Sequence, residues 1–135
     1  MAMKTDYVKQ AQIRASAMLT NLYVAATILT DAYKYNQLVL FISFTKATTT
    51  SLEWKVEFSH DNSNWYQEPA EDWSALGVAT VREIYHQIVS ANQSSATQGY
   101  KFQIPITDRY IRVSVKATGV LTDSLCAIDA AFAVS

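Results

Sequence analysis

Ser51-Leu-Glu-Trp-Lys-Val-Glu-Phe-Ser59 decides the fold. Leu52, Trp54, Val56 and Phe58 fall on one side of an extended chain and Glu53, Lys55 and Glu57 on the other. A strict period of two is what a strand with one dry and one wet face requires. Upstream, Asn36 to Lys46 alternates on both faces, with Leu38, Leu40, Ile42 and Phe44 on one side and Val39 and Phe41 on the other. This predicts a central strand covered twice. The polar Ala47-Thr48-Thr49-Thr50 connection between the two runs is short, which predicts an antiparallel hairpin.

Downstream, His60-Asp61-Asn62-Ser63-Asn64 is turn chemistry, because Asn and Asp side chains bond nearby backbone and tolerate left-handed conformations. Trp65 and Tyr66 start the return. Glu68 to Gly77 reads as a surface loop and Thr80 to Ser90 as one further strand, with a helix as its alternative. Ala91 to Gly99, rich in Ser, Gln and Asn, reads as a polar loop that buries nothing. Tyr100, Phe102, Ile104 and Ile106 predict an inward face, and Pro105, which has no N–H for a ladder, predicts an edge or a strand end. Arg109 to Ala117 and Leu125 to Val134 complete the strands.

Toward the N-terminus, Leu22, Val24, Ala26 and Ile28 predict a strand closed by Thr30-Asp31. Residues 1–18 show neither a sustained period nor a cap, and are expected to form an arm or a short helix. The sum is an all-β domain, an antiparallel two-sheet β-sandwich of jelly-roll type with about eight strands over residues 19–135.

Composition narrows the function. Of 135 residues, 50% are hydrophobic and 17% charged, which excludes a disordered chain and points to surface buried against partners. The net charge of −1, with scattered Lys and Arg, gives no footprint for nucleic acid or an anionic membrane. The lone Cys126 in an apolar run reads as a small buried hydrophobe. Met1 to Asp6 lacks an apolar signal core, so the expectation is a protein made in a cytoplasm that leaves it by lysis or assembly.

No Gly-rich phosphate loop, H-E-x-x-H, G-x-S-x-G or paired-cysteine spacing is visible, so no enzyme, cofactor or metal site is expected. His60 and His86 are single histidines without a motif, and Asp61, Asn62 and Asn64 lack the glycine and distal glutamate of a calcium loop. The acidic loop residues Glu68, Glu71 and Asp72 offer oxygens for a hard cation or a general acid pair, but exposed loops are often acidic merely for solubility, and that is the preferred reading. Trp65, Tyr66 and Trp73, with Tyr33 and Tyr35, are the better candidates. Large aromatics in or beside loops fold back on the core, anchor a protein interface or stack on a sugar.

Ser51 to Glu68, Ile106 to Gly119 and Ala127-Ile-Asp-Ala130 together resemble a group of small β-sandwich proteins encoded among tailed-bacteriophage virion genes. In that group a strand ending in "EFS", a polar turn and "WYQE" go with "DRYIRVSVKATG" and a closing "AIDA" strand. The chain departs from it in Asp61-Asn62-Ser63-Asn64, where glycines often open the turn, and in the longer loop from Pro69 to Gly77. The resemblance implies a virion structural role, foremost a head accessory or decoration protein that stabilises the capsid. It implies location in the virion, with host cytoplasm during assembly, and contacts to the major capsid or other virion proteins in multiple copies or as a homo-oligomer. The rival expectations are a neck or tail connector, a glycan-binding module of a tail or fibre with the aromatics above as platforms, and a small hydrolase using His86.

Overall fold

A computed structural model describes residues 6–30, 32–67, 70–75, 78–82, 85–119 and 124–134, without the side chains of residues 6–8, 33 and 70–82. Among the described residues there are ten strands: β1 (Asp6–Met18), β2 (Val24–Ala25), β3 (Gln37–Thr45), β4 (Thr49–Ser59), β5 (Ala70–Ala75), β6 (Val78–Arg82), β7 (His86–Val89), β8 (Thr97–Pro105), β9 (Tyr110–Gly119) and β10 (Leu125–Val134). Eight of them form two antiparallel four-stranded sheets, one in the order β1-β10-β3-β8 and the other β2-β9-β4-β7. The β-sandwich expected from the alternation is therefore the fold. The hairpin β5-β6 is a separate two-stranded sheet that pairs with neither.

The core lies between the sheets, where Leu38, Leu40, Ile42 and Phe44 of β3 and Ile128, Ala130 and Phe132 of β10 meet Leu52, Trp54 and Phe58 of β4 and Ile111, Val113 and Val115 of β9. Each strand contributes alternate residues to this core, and on the outer face of β3 and β10 Val39, Ala131 and Ala133 are buried as well.

The expected β3-β4 hairpin is not formed. The two strands belong to opposite sheets and face each other across the core, because both carry large apolar faces that are buried by opposition. A tight turn, with Ala47 at φ 42 and the Thr49 N–H donating to the Lys46 carbonyl at 2.9 Å, carries the chain across. The β1-β2, β8-β9 and β9-β10 connections likewise change sheet.

Residues 6–18, expected as an arm or short helix, form edge strand β1, paired along its length with β10. Three register shifts break its alternation, at Tyr7/Lys9, Gln12/Arg14 and Arg14/Ala17. Arg14 holds the distorted strand, with Nε donating to the Cys126 carbonyl at 3.1 Å and Nη2 to the carbonyls of Ala17 and Met18 at 3.4 and 3.2 Å.

The strand expected at Leu22 to Ile28 shrinks to two residues. Both of its residues are exposed, as is Leu22, and the buried positions, Ala26 and Leu29, follow it and are held by Ala26 N–H to the Val113 carbonyl and Leu29 N–H to the Ile111 carbonyl. Residues 70–75, expected as loop, are strand β5, and the single strand expected over Thr80 to Ser90 is two strands, β6 and β7, in different sheets. Strand β8 is an edge, as Pro105 predicts.

Gly119 is the glycine whose freedom the fold uses. Its φ is +90, and a Cβ there would collide with Thr50 Oγ1 and lie 2.8 Å from the Thr50 nitrogen. We expect Gly119→Ala to cost about 2–3 kcal/mol in urea unfolding, with no loss of strand signal in the circular dichroism of the folded form.

Candidate interaction surface

Strand β4 ends at Ser59 opposite Tyr110, where β9 begins, and β3 begins at Gln37 opposite Ala133, where β10 ends. The Ala32 N–H donates to the Arg109 carbonyl at 3.1 Å and ties these strand ends together. Residues 32–35 and the turn after Ser59 therefore share one end of the sandwich.

The turn is built by Asp61. Its Oδ1 accepts the backbone N–H groups of Ser63 at 2.9 Å and Asn64 at 2.8 Å, and its Oδ2 accepts Asn64 Nδ2 at 2.8 Å. Ser59 Oγ donates to Asp61 Oδ1 at 3.0 Å and accepts the Asn62 N–H at 2.9 Å, and Asn62 takes φ 59. The backbone N–H groups of Asn64 and Ser63 hold the Asp61 carboxyl well below the ordinary carboxylate range. A depressed folded value means that the ionised carboxylate supports the turn above the ordinary carboxylate pKa, and that this support is lost as pH falls through the folded value. An NMR titration should find the Asp61 carboxyl still ionised after the exposed carboxylates have protonated. Titration with the others would refute the turn geometry.

Phe58 and Tyr66 exchange both backbone hydrogen bonds at 2.8 Å and fold the chain back on β4. Trp65 is half-buried, with the Arg112 guanidinium 4.5 Å from its ring centroid. Arg112 Nη2 and Nε also donate to Glu57 Oε1 at 2.9 and 3.2 Å, a pair set directly across the strands. Trp65 is thus part of a surface network in which one ring face is taken.

Tyr66 is 56% exposed, its ring stacked on His60 at 5.9 Å. Tyr35 is half-buried and stacks on Phe132 at 4.8 Å, which makes it a core residue at the sandwich end. Tyr33 lies in the short 3-10 turn Ala32–Lys34 and Trp73 on β5, and the side chains of both lie outside the described residues, as do those of Glu71 and Asp72. Of the three candidates whose side chains are described, Trp65, Tyr66 and Tyr35, only Tyr66 is mostly exposed.

Three features escaped the sequence reading. Met18, Leu22 and Val24 are exposed apolar residues within seven positions, Leu22 at 72%. Phe41, expected to be covered, is 37% exposed on the outer face of β3. Gln93 is buried in the segment expected to bury nothing. Alternation cannot reveal the first, because Met18 ends β1, Leu22 lies in the bend after it and Val24 stands on a two-residue edge strand.

The histidines are separated in role. His60 belongs to the turn, while His86 on β7 stacks on Trp54 at 4.1 Å, and burial there lowers its pKa. Burial pushes the Cys126 thiol up to about 11, so it behaves as a hydrophobe. Among the described residues, no three His, Cys, Asp or Glu side chains gather into a metal-binding group. Compared with known proteins, the chain matches no family model and no curated sequence.

Proposed function

We propose that this chain is a structural component of a tailed-bacteriophage virion, a head accessory protein that stabilises the shell through protein contacts. The observation that carries the reading is the pairing of β4 with β9, in register from Leu52–Ala117 to Ser59–Tyr110. These lie within two of the three segments on which the resemblance rests, and they form the centre of one sheet as paired neighbours. The exposed apolar side chains of Met18, Leu22 and Val24 support a role in contacts, since a partner surface would cover them.

Strand β1 is integral to its sheet, so the grip on a shell falls to other elements, and the hairpin β5-β6 is available for it because it pairs with neither sheet. The test is to add purified protein to heads that lack it. Saturable binding at a defined copy number with raised heat resistance is expected, weakened by Leu22→Ser and by replacing residues 70–82 with a short linker. Absence of binding, or recovery of the protein at the neck or tail alone, would discard the head-accessory reading.

A further inference from the structure

Among the described residues, the two four-stranded sheets end in four edge strands, and three of these are blunted against further pairing. Strand β1 is broken by three register shifts, β2 has two residues and β7 has four. Strand β8 is different. It runs for nine residues, about 30 Å, in unbroken register with β3 from Thr97–Thr45 to Pro105–Gln37.

The ladder shows which backbone groups of β8 remain open. Just beyond its two ends, the Ile106 N–H donates to the Asn36 carbonyl at 3.1 Å and the Lys46 N–H to the Ala96 carbonyl at 3.0 Å. Backbone groups alternate sides along an antiparallel ladder, so the even-numbered residues of β8 aim theirs at β3. Thr97, Gly99, Lys101, Gln103 and Pro105 present theirs to the outer edge, where, among the described residues, no strand pairs with them. Pro105 stands at an outward position, where its missing N–H takes nothing from the ladder.

Two further observations concern side chains. Tyr100, Phe102, Ile104 and Ile106 pack on the core but are only half-buried. His86 of β7 lies 6.3 Å from the Phe102 ring, so β8 shares its flank with the four-residue edge of the opposite sheet. Gly99 is the second. A Cβ there would meet nothing within 4 Å, so nothing within one copy requires a glycine. Glycine weakens a strand interior and belongs where another backbone or a ring comes close.

We propose that β8 pairs antiparallel with β8 of a second copy about a twofold axis, joining the two four-stranded sheets into one of eight. The strand's own sequence selects the register. With the axis at Phe102, Lys101 of one copy and Gln103 of the other exchange both backbone hydrogen bonds, and the Gly99 N–H donates to the Pro105 carbonyl, in each half. Phe102 then adjoins Phe102 with Cα atoms about 4.5 Å apart, and Tyr100 adjoins Ile104, so the half-buried apolar side chains cover one another. Gly99 stands opposite Pro105 and leaves room for its ring. Centring on Lys101 would set two ammonium groups face to face, and centring on Tyr100 would set Phe102 against Gln98. Centring on Gln103 would carry Gly99 past the end of the strand and lose its bonds. Lys101 thus guards only against the register centred on itself. The pairing uses both open edges and stops, which gives a closed dimer and not a fibre. This inference stands apart from the virion reading, since self-association in solution and binding to particles are separate readouts.

The test is sedimentation velocity of the whole chain, with amide exchange read by NMR at both ends of a range of about 1 to 500 µM, suited to so small an interface. The mass should double with concentration. The amides of Gly99, Lys101 and Gln103, open to solvent in one copy, should gain protection as it does. Gln103→Pro removes an outward donor while leaving the ladder to β3 intact, and should keep the protein monomeric. Gln103→Glu sets a carboxylate opposite Lys101 twice in each dimer and should tighten association about fivefold at low salt, while Gln103→Lys should weaken it by a similar factor. The exchange map of the unaltered chain decides the matter if Gln103→Pro fails to fold. A monomer at every concentration, a dimer indifferent to Gln103→Pro, weaker association in Gln103→Glu, or concentration-dependent protection at β1, β2 or β7 in place of β8 would each overturn the proposal.

Discussion

Trp54→Ala should destabilise the protein by about 4 kcal/mol, the range for deleting a large buried aromatic, and lower its melting temperature by roughly 15 °C. Trp54 lies at 1% exposure on the inner face of β4, tilted against Phe102 of β8 at 4.6 Å and stacked on His86 of β7 at 4.1 Å. It therefore joins the edge strands of both sheets at one flank of the sandwich. Strand β7 has only four residues, too few to close that flank alone.

The same residue carries a cost, because the indole Nε1 is buried with no hydrogen-bond partner. Trp54→Phe removes that orphaned donor while keeping an aromatic ring, so its expected loss is only about 1 kcal/mol. A large gap between the two variants in urea unfolding supports this account. Equal losses would show that the indole N–H is satisfied. The His86 pKa is a second readout. Desolvation lowers it in the folded state, so neutral His86 contributes stability above the ordinary histidine pKa, and that contribution is lost as pH falls through the folded value. Trp54→Ala removes the ring that covers one face of the imidazole, and the His86 titration should move back up.

Which face each residue takes was legible because period two is a direct imprint of one dry and one wet side. Leu52, Trp54 and Phe58, Ile111, Val113 and Val115, and Leu38 to Phe44 all lie where alternation puts them. Pairing partners were not legible, since the same alternation serves a strand that pairs with its chain neighbour and one that faces it across the core. That is why β3 and β4 were misjoined.

Strand β1 was hidden for a different reason. Its register shifts at Gln12/Arg14 and Arg14/Ala17 each offset the period, so Ile13 is buried while Ala11 and Ala15, two residues away on either side, are exposed. The aromatic end was legible as a location, because turn chemistry at Asp61 fixes where Trp65 and Tyr66 emerge. That Arg112 would occupy the Trp65 ring was not, since it depends on two strands meeting in register. Of the two outer-face residues of β3 expected to be covered, Val39 is buried and Phe41 is 37% exposed, because alternation on both faces does not say how far along the strand the cover extends.

The segment after β7 shows how a polar stretch can be structural. Gln93 is 3% exposed and all its hydrogen-bonding capacity is directed inward. Its Nε2 donates to the carbonyls of Phe44, Ser95 and Ala96 at 3.1, 2.9 and 3.1 Å, and its Oε1 accepts the Tyr100 hydroxyl at 2.9 Å. Its own carbonyl accepts Lys46 Nζ at 2.7 Å. One side chain thus links the end of β3, the loop and β8. Gln93→Leu conserves volume approximately but strands the buried Phe44 carbonyl and the Tyr100 hydroxyl together, for an expected loss of about 3 kcal/mol. Tyr100→Phe removes only one of these bonds and should cost about 1 kcal/mol. In the double variant, Gln93→Leu with Tyr100→Phe, the orphaned hydroxyl is gone, so the combined loss should fall short of the sum of the singles. Hydrogen exchange should locate the damage, with amides of residues 93–98 and the adjoining end of β3 losing protection while the β4-β9 pair keeps it. Additive losses, or uniform loss of protection across both sheets, would mean that the amide is a packing residue and the loop is held by other contacts.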